Sequence, residues 1–147
     1  MKAARIAREA GRLVSITLSD SFCVDRHRDS FLDLIRSDID ILFANEKEIK
    51  SLYQVDTFDE ALQRVRKDCS IAALTRSEAG CVIVKGDEVH VVGAHPVAQV
   101  VDVTGAGDLF ASGFLYGFTH DLSLVQSARL GALAAATTAA SISPGAR

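Results

Sequence analysis

The sequence predicts an α/β fold: a mostly parallel sheet with helices on both faces and a β-hairpin after the third strand. Three observations lead there. Short apolar runs rich in β-branched residues alternate with longer stretches of helical periodicity, the pattern of a parallel sheet covered on both sides. Each of the first three runs stays apolar until its carboxyl end, where polar residues appear: Ser19-Asp20, then Asn45, then Thr75-Arg76-Ser77. Gly86-Asp87, set between two short apolar segments, marks the hairpin.

The elements follow in order. Residues 2–11 read as a helix ended by Gly11, with Lys2, Arg5, Arg8 and Arg12 on a solvated face. LVSITLSD (13–20) is the first strand. Residues 24–38 form a helix capped by Asp25, with Phe31, Leu32, Leu34 and Ile35 turned inward. IDILFAN (39–45) is the second strand. Two helical stretches follow, EKEIKSLYQ and TFDEALQRVRKD, the latter opened by Thr57 and Glu60 at capping-box spacing. SIAALTRS (70–77) is the third strand, GCVIVKGDEVHVVGA (80–94) the hairpin, and PVAQVVDV one strand more. Two helices complete the chain, 105–119 and 122–141. Gly113 and Gly117 on the first, with Ala128, Gly131, Ala132, Ala135 and Ala139 on the second, give both a narrow face suited to close packing.

Composition narrows the function. A chain of 147 residues, 48% hydrophobic and 24% charged, suits one globular domain with a real core. Its net charge of -3 argues against a nucleic-acid module, which would need a basic face. The start has basic residues but no apolar stretch behind them, so no signal peptide is read. The apolar stretch near Leu130–Ile142 is too short to span a bilayer. Cys23, Cys69 and Cys81 have no paired spacing and read as reduced, mostly buried thiols of a cytoplasmic protein. His27, His90, His95 and His120 show no metal-ligand spacing and read as structural or surface residues.

The chemistry concentrates in VVDVTGAGDLFASGF (100–114). Gly105, Ala106 and Gly107 at a loop-to-helix junction leave backbone amides uncovered, and such amides form an anion site. A Walker A loop is excluded, because Gly107 is followed by Asp108 and no lysine. A dinucleotide fingerprint is excluded too, because its third small residue would fall on Phe110.

The segment DVTGAGDLFASGF closely resembles the second signature of the ribokinase-like (PfkB) family of carbohydrate and nucleoside kinases. NEKE, Asn45 to Glu48, resembles that family's N-x-x-E motif. TRSEAG, Thr75 to Gly80, resembles its T-x-G-x-x-G loop, with Ser77 in place of the first glycine. The three stand in family order, each at a predicted strand end. The resemblance covers the carboxyl half of a family member. It therefore implies that residues 1–147 are the nucleotide-binding portion, without the amino-terminal part that supplies the lid and most substrate contacts.

What the resemblance implies can be written residue by residue. ATP and Mg2+ are the cofactors, and K+ is a third in many relatives. Asp108 is the base that accepts a hydroxyl proton from a sugar or nucleoside; the alternative is a carboxylate that only steadies the helix start. The Gly105-Ala106-Gly107 turn is the anion hole. Asn45 lies near the phosphates or caps the helix it precedes. Glu48 acts on Mg2+ through water, or is a solvated helix glutamate between Lys47 and Lys50. Thr75, Ser77 and Gly80 lie along the nucleotide. Asp102 and Thr104 hold the monovalent cation or cap the loop. The competing expectation is a nucleotide-binding fragment without turnover that self-associates through an unpaired sheet edge.

Overall fold

The computed structural model describes residues 2–96 and 105–140, the last three of these in backbone only. Helix α1 (Lys2–Glu9) leads to strand β1 (Ser15–Thr17), helix α2 (Ser21–Asp38), strand β2 (Ile41–Asn45), and helices α3 (Glu46–Tyr53) and α4 (Phe58–Asp68). Strand β3 (Ile71–Thr75), a 3-10 turn (Ser77–Ala79), strands β4 (Cys81–Lys85) and β5 (Glu88–Val92), and helices α5 (Ala106–Thr119) and α6 (Leu124–Ala140) complete it. The strands form one sheet in the order β1-β2-β3-β4-β5. The first three are parallel, and the β4–β5 hairpin adds on antiparallel through β3.

Alternation along the strands builds the two layers. Leu42, Ala44, Ala72, Leu74, Val82 and Val84 face α2, α3 and α4, and pack there against Val24, Ile35, Ile49, Leu52 and Val65. Ile41, Phe43, Ile71, Ala73, Cys81 and Ile83 face the other way, onto Phe110, Phe114 and Ala128 of α5 and α6. Four of five residues in each of β2, β3 and β4 are buried, as a strand covered on both faces requires. Phe114 meets Phe43 edge-to-face with ring centroids 5.5 Å apart, fixing α5 on β2.

The small-residue faces of α5 and α6 meet as expected. A Cβ on Gly113 would stand 2.6 Å from the Leu130 carbonyl oxygen, and one on Gly131 would stand 2.7 Å from that of Phe110. Gly117 abuts Ser127, which is fully buried and whose hydroxyl lacks a hydrogen-bond partner among the described residues.

Two sequence expectations need correction. The second helix begins at Ser21 and is capped by Asp20, whose carboxylate accepts from the Cys23 N–H at 2.7 Å. Asp25, expected as the cap, lies inside the helix and accepts a hydrogen bond from the Ser51 hydroxyl of α3. The first strand is also shorter than its apolar run. Ser19 adopts a left-handed φ of 70°, which turns the chain out of the sheet and frees Asp20 to cap. Of the strand expected over 96–103, residues 97–103 lie outside the described residues. Among the described residues no helix is long and apolar enough to cross a membrane.

Candidate functional site

Because β1, β2 and β3 are parallel, their carboxyl ends share one edge of the sheet, where open α/β folds bind ligands. Asn45 and Thr75 are register partners on that edge. Asn45 caps α3 in a reciprocal capping box. Its Oδ1 accepts from the Glu48 N–H at 2.8 Å, and the Glu48 carboxylate accepts from the Asn45 N–H at 2.9 Å and from Asn45 Nδ2 at 3.0 Å. Glu48 is only 7% exposed. A solvated helix glutamate is thus not what the structure holds. Burial pushes the Glu48 carboxyl above its ordinary value and Asp20 adds to that, while the Asn45 backbone N–H pulls it down.

The chain leaves β3 at half-buried Thr75 and turns through Arg76 to Gly80. Arg76 N donates to the Gly80 carbonyl at 2.7 Å, and Gly80 N donates back to Ser77 at 3.1 Å. Ser77, where the motif expects glycine, has a left-handed φ of 47°. The backbone therefore keeps a glycine-like conformation with a side chain present. Gly80 has a φ of 86°, and an added Cβ would lie 2.0 Å from the Val92 carbonyl oxygen. Only glycine fits there.

The start of α5 is built differently. Gly105 is the N-cap in the left-handed region (φ 77°, ψ 0°), and among the described residues no side chain caps the helix. A Cβ at Gly105 or Gly107 would meet none of the described residues within 4 Å. Among the described residues the first-turn amides of this 14-residue helix have no side-chain acceptor, and they lie at its positive end. Asp108 is exposed in that turn, and its carboxylate has no hydrogen bond or ion pair among the described residues. Its backbone carbonyl accepts from the Ser112 hydroxyl at 2.8 Å.

The structure therefore brings Asn45, Glu48, Thr75, Ser77 and Gly80 onto one sheet edge, and sets Gly105, Ala106, Gly107 and Asp108 together at the start of α5. Asp102 and Thr104 lie outside the described residues. No group of three or more His, Cys, Asp or Glu side chains among the described residues could hold a metal ion. The thiols of Cys69 and Cys81 are pushed up to about 11 by burial, which fits inert cysteines.

The pfkB family carbohydrate kinase profile matches residues 1–146. The chain belongs to the PfkB family. It is 36% identical over 106 residues to an uncharacterized sugar kinase of Archaeoglobus fulgidus, covering 71% of this chain and 42% of that one. Among solved structures, a probable sugar kinase from Rhizobium etli is 58% identical with a TM-score of 0.94. The adenosine kinase from Sinorhizobium meliloti is 51% identical with a TM-score of 0.93. Each of these alignments covers 97% of this chain and 44% of the other. The chain thus spans less than half the length of these relatives. PfkB membership agrees with the fold predicted from the motifs and with the observed sheet.

Sequence reasoning missed three participants. Asp20 raises the Glu48 carboxyl from the neighbouring strand end. Arg76 and Glu46 form an ion pair at 2.9 Å between the β3 and β2 exits. Their signal was an arginine at one strand end and a glutamate opening a helix at the next.

Proposed function

We propose that this PfkB chain is the nucleotide-binding, phosphoryl-transferring half of an ATP-dependent kinase whose acceptor is a hydroxyl of a sugar or nucleoside. The observation that carries the reading is the start of α5: among the described residues, a helix without a side-chain cap, a left-handed glycine, no neighbour at two glycines and an exposed carboxylate in one turn. Phosphoryl transfer needs little covalent help; it needs the moving charge cradled and the acceptor oxygen placed. The amides of Gly105, Ala106 and Gly107 supply the cradle. Asp108 accepts the hydroxyl proton late in the step, so its placement outweighs its basicity.

The carboxyl edge of the sheet holds the nucleotide, with Asn45 toward the phosphates and Thr75, Ser77 and Gly80 along its length. Mg2+ bound with ATP would neutralise charge on the phosphates. Both Glu48 oxygens already accept from Asn45, so a role for Glu48 toward that ion runs through water, as magnesium's retained hydration allows. Asp102 and Thr104 complete the proposal as holders of a monovalent cation such as K+. The sugar-kinase and adenosine-kinase relatives support this acceptor class.

A second reading has its own support. β1 is an end strand, paired only with β2 among the described residues, and Leu13 beside it is 62% exposed. That edge suits self-association of a nucleotide-binding module without turnover. A panel of sugars and nucleosides with Mg-ATP separates the two. ADP formation that disappears in Asp108→Asn, with the melting temperature kept, supports the kinase. Turnover unchanged in Asp108→Asn contradicts it. Nucleotide binding without turnover, together with oligomers by light scattering, supports the second reading.

A further inference from the structure

Arg76 stands between two residues assigned above to the nucleotide, at a position the motif leaves open. Its backbone closes the turn, donating to the Gly80 carbonyl at 2.7 Å and accepting from the Ala79 N–H at 3.0 Å. Its side chain leaves the turn altogether. Nε donates to Glu46 Oε2 at 2.9 Å, and the guanidinium carbon lies 4.2 Å from the Phe58 ring centroid. Glu46 is the first residue of α3 and lies between Asn45 and the buried Glu48. Phe58 is the buried first residue of α4. One side chain therefore reaches from the β3 exit to the starts of two helices. A planar guanidinium can stack on a ring and donate in its own plane at once, which an ammonium cannot.

We propose that Arg76 is a positioning residue, one that locks the 76–80 turn to the Asn45–Glu48 capping box so that both segments meet the nucleotide as a single rigid unit. This rests on the nucleotide reading above for its purpose, but the coupling itself belongs to the free protein. A role confined to packing would act on one segment at a time. A coupling role links segments 30 residues apart.

Hydrogen exchange on the unliganded chain tests it, with Arg76→Ala, Glu46→Ala, the double variant and the wild type. Each single substitution is expected to speed exchange about fivefold or more in both segments, at Glu48 and at Ala79 and Gly80, while β4 is unchanged. The double variant should add nothing beyond either single. Acceleration confined to the substituted segment, or additive acceleration in the double variant, would overturn the proposal. Should Arg76→Ala fail to fold, Arg76→Lys replaces it; that variant keeps the charge and is expected to loosen both segments all the same. Equal protection of both segments in Arg76→Lys and wild type would count against the geometry argued here. Mg-ATP added to the wild type reads the nucleotide assignment separately. Protection of both segments together supports the single unit, and protection of one alone contradicts it. Protection of neither contradicts the nucleotide reading, leaving the coupling to be judged on the free chain.

Discussion

The carboxyl edge of the sheet and the start of α5 carry motifs of the same family, yet their physics differ. At the edge the key groups are committed. Asn45 and Glu48 satisfy each other, Arg76 holds Glu46, and Gly80 is pressed against Val92. At α5, among the described residues, nothing is committed: no cap, no neighbour within 4 Å of either glycine Cβ, and an exposed carboxylate. A satisfied donor stabilises the fold and is spent there, whereas an unsatisfied one at a helix start is available to a ligand. Substitutions at the edge should therefore show in stability, and substitutions at α5 in chemistry.

The largest expected effect is at Gly80. Gly80→Ala places a methyl against the Val92 carbonyl oxygen at a φ of 86°, and should destabilise by about 3 kcal/mol or more, read by denaturant titration. A variant as stable as the wild type would show that the edge is less constrained than its geometry says. Next comes Asp108→Asn, expected to lower turnover by a factor of about 10²–10⁴ while leaving the melting temperature alone. A stability loss instead would make Asp108 a member of the committed region.

Glu48 lies between the two extremes and sharpens the contrast. Glu48→Ala removes one side of the capping box and should cost about 1 kcal/mol. The pH dependence has a definite sign. Because the folded carboxyl is raised from its ordinary value of 4.5, its contribution is full below that value and is lost as pH rises through the folded value. Melts between about pH 4 and pH 7 should show the wild type losing stability relative to Glu48→Gln as pH rises. The opposite slope would mean that the Asn45 hydrogen bonds outweigh burial. The smallest effect is expected at Ser127, where Ser127→Ala removes a buried hydroxyl without a partner among the described residues and should be neutral or stabilising by about 1 kcal/mol in thermal melts.

How much of this was legible in the sequence follows the same division. Periodicity gave the sheet, its two covered faces and the hairpin, because burial on both sides leaves continuous apolar runs. The glycine faces of α5 and α6 were legible because a missing side chain has one simple use in a helix crossing. Local rules failed where tertiary geometry chose between equals. Asp20 and Asp25 are both good caps, and the left-handed Ser19 decided for Asp20. A solvated Glu48 between Lys47 and Lys50 was an alternative the sequence left open, but the capping box folds it inward. Arg76 was visible only as a polar residue at a strand end, since its partners lie 18 and 30 residues away and no local pattern names them.

The most direct test of the central claim, that the α5 start is a built anion site with Asp108 beside it, is calorimetric titration with Mg-ATP of three chains. The wild type should bind, and Asp108→Ala should bind about as well because only the base is gone. Gly105→Val should lose binding while α5 persists by circular dichroism, because a side chain then stands where the phosphate would approach. Equal binding by Gly105→Val, or binding lost in Asp108→Ala alone, would contradict the account.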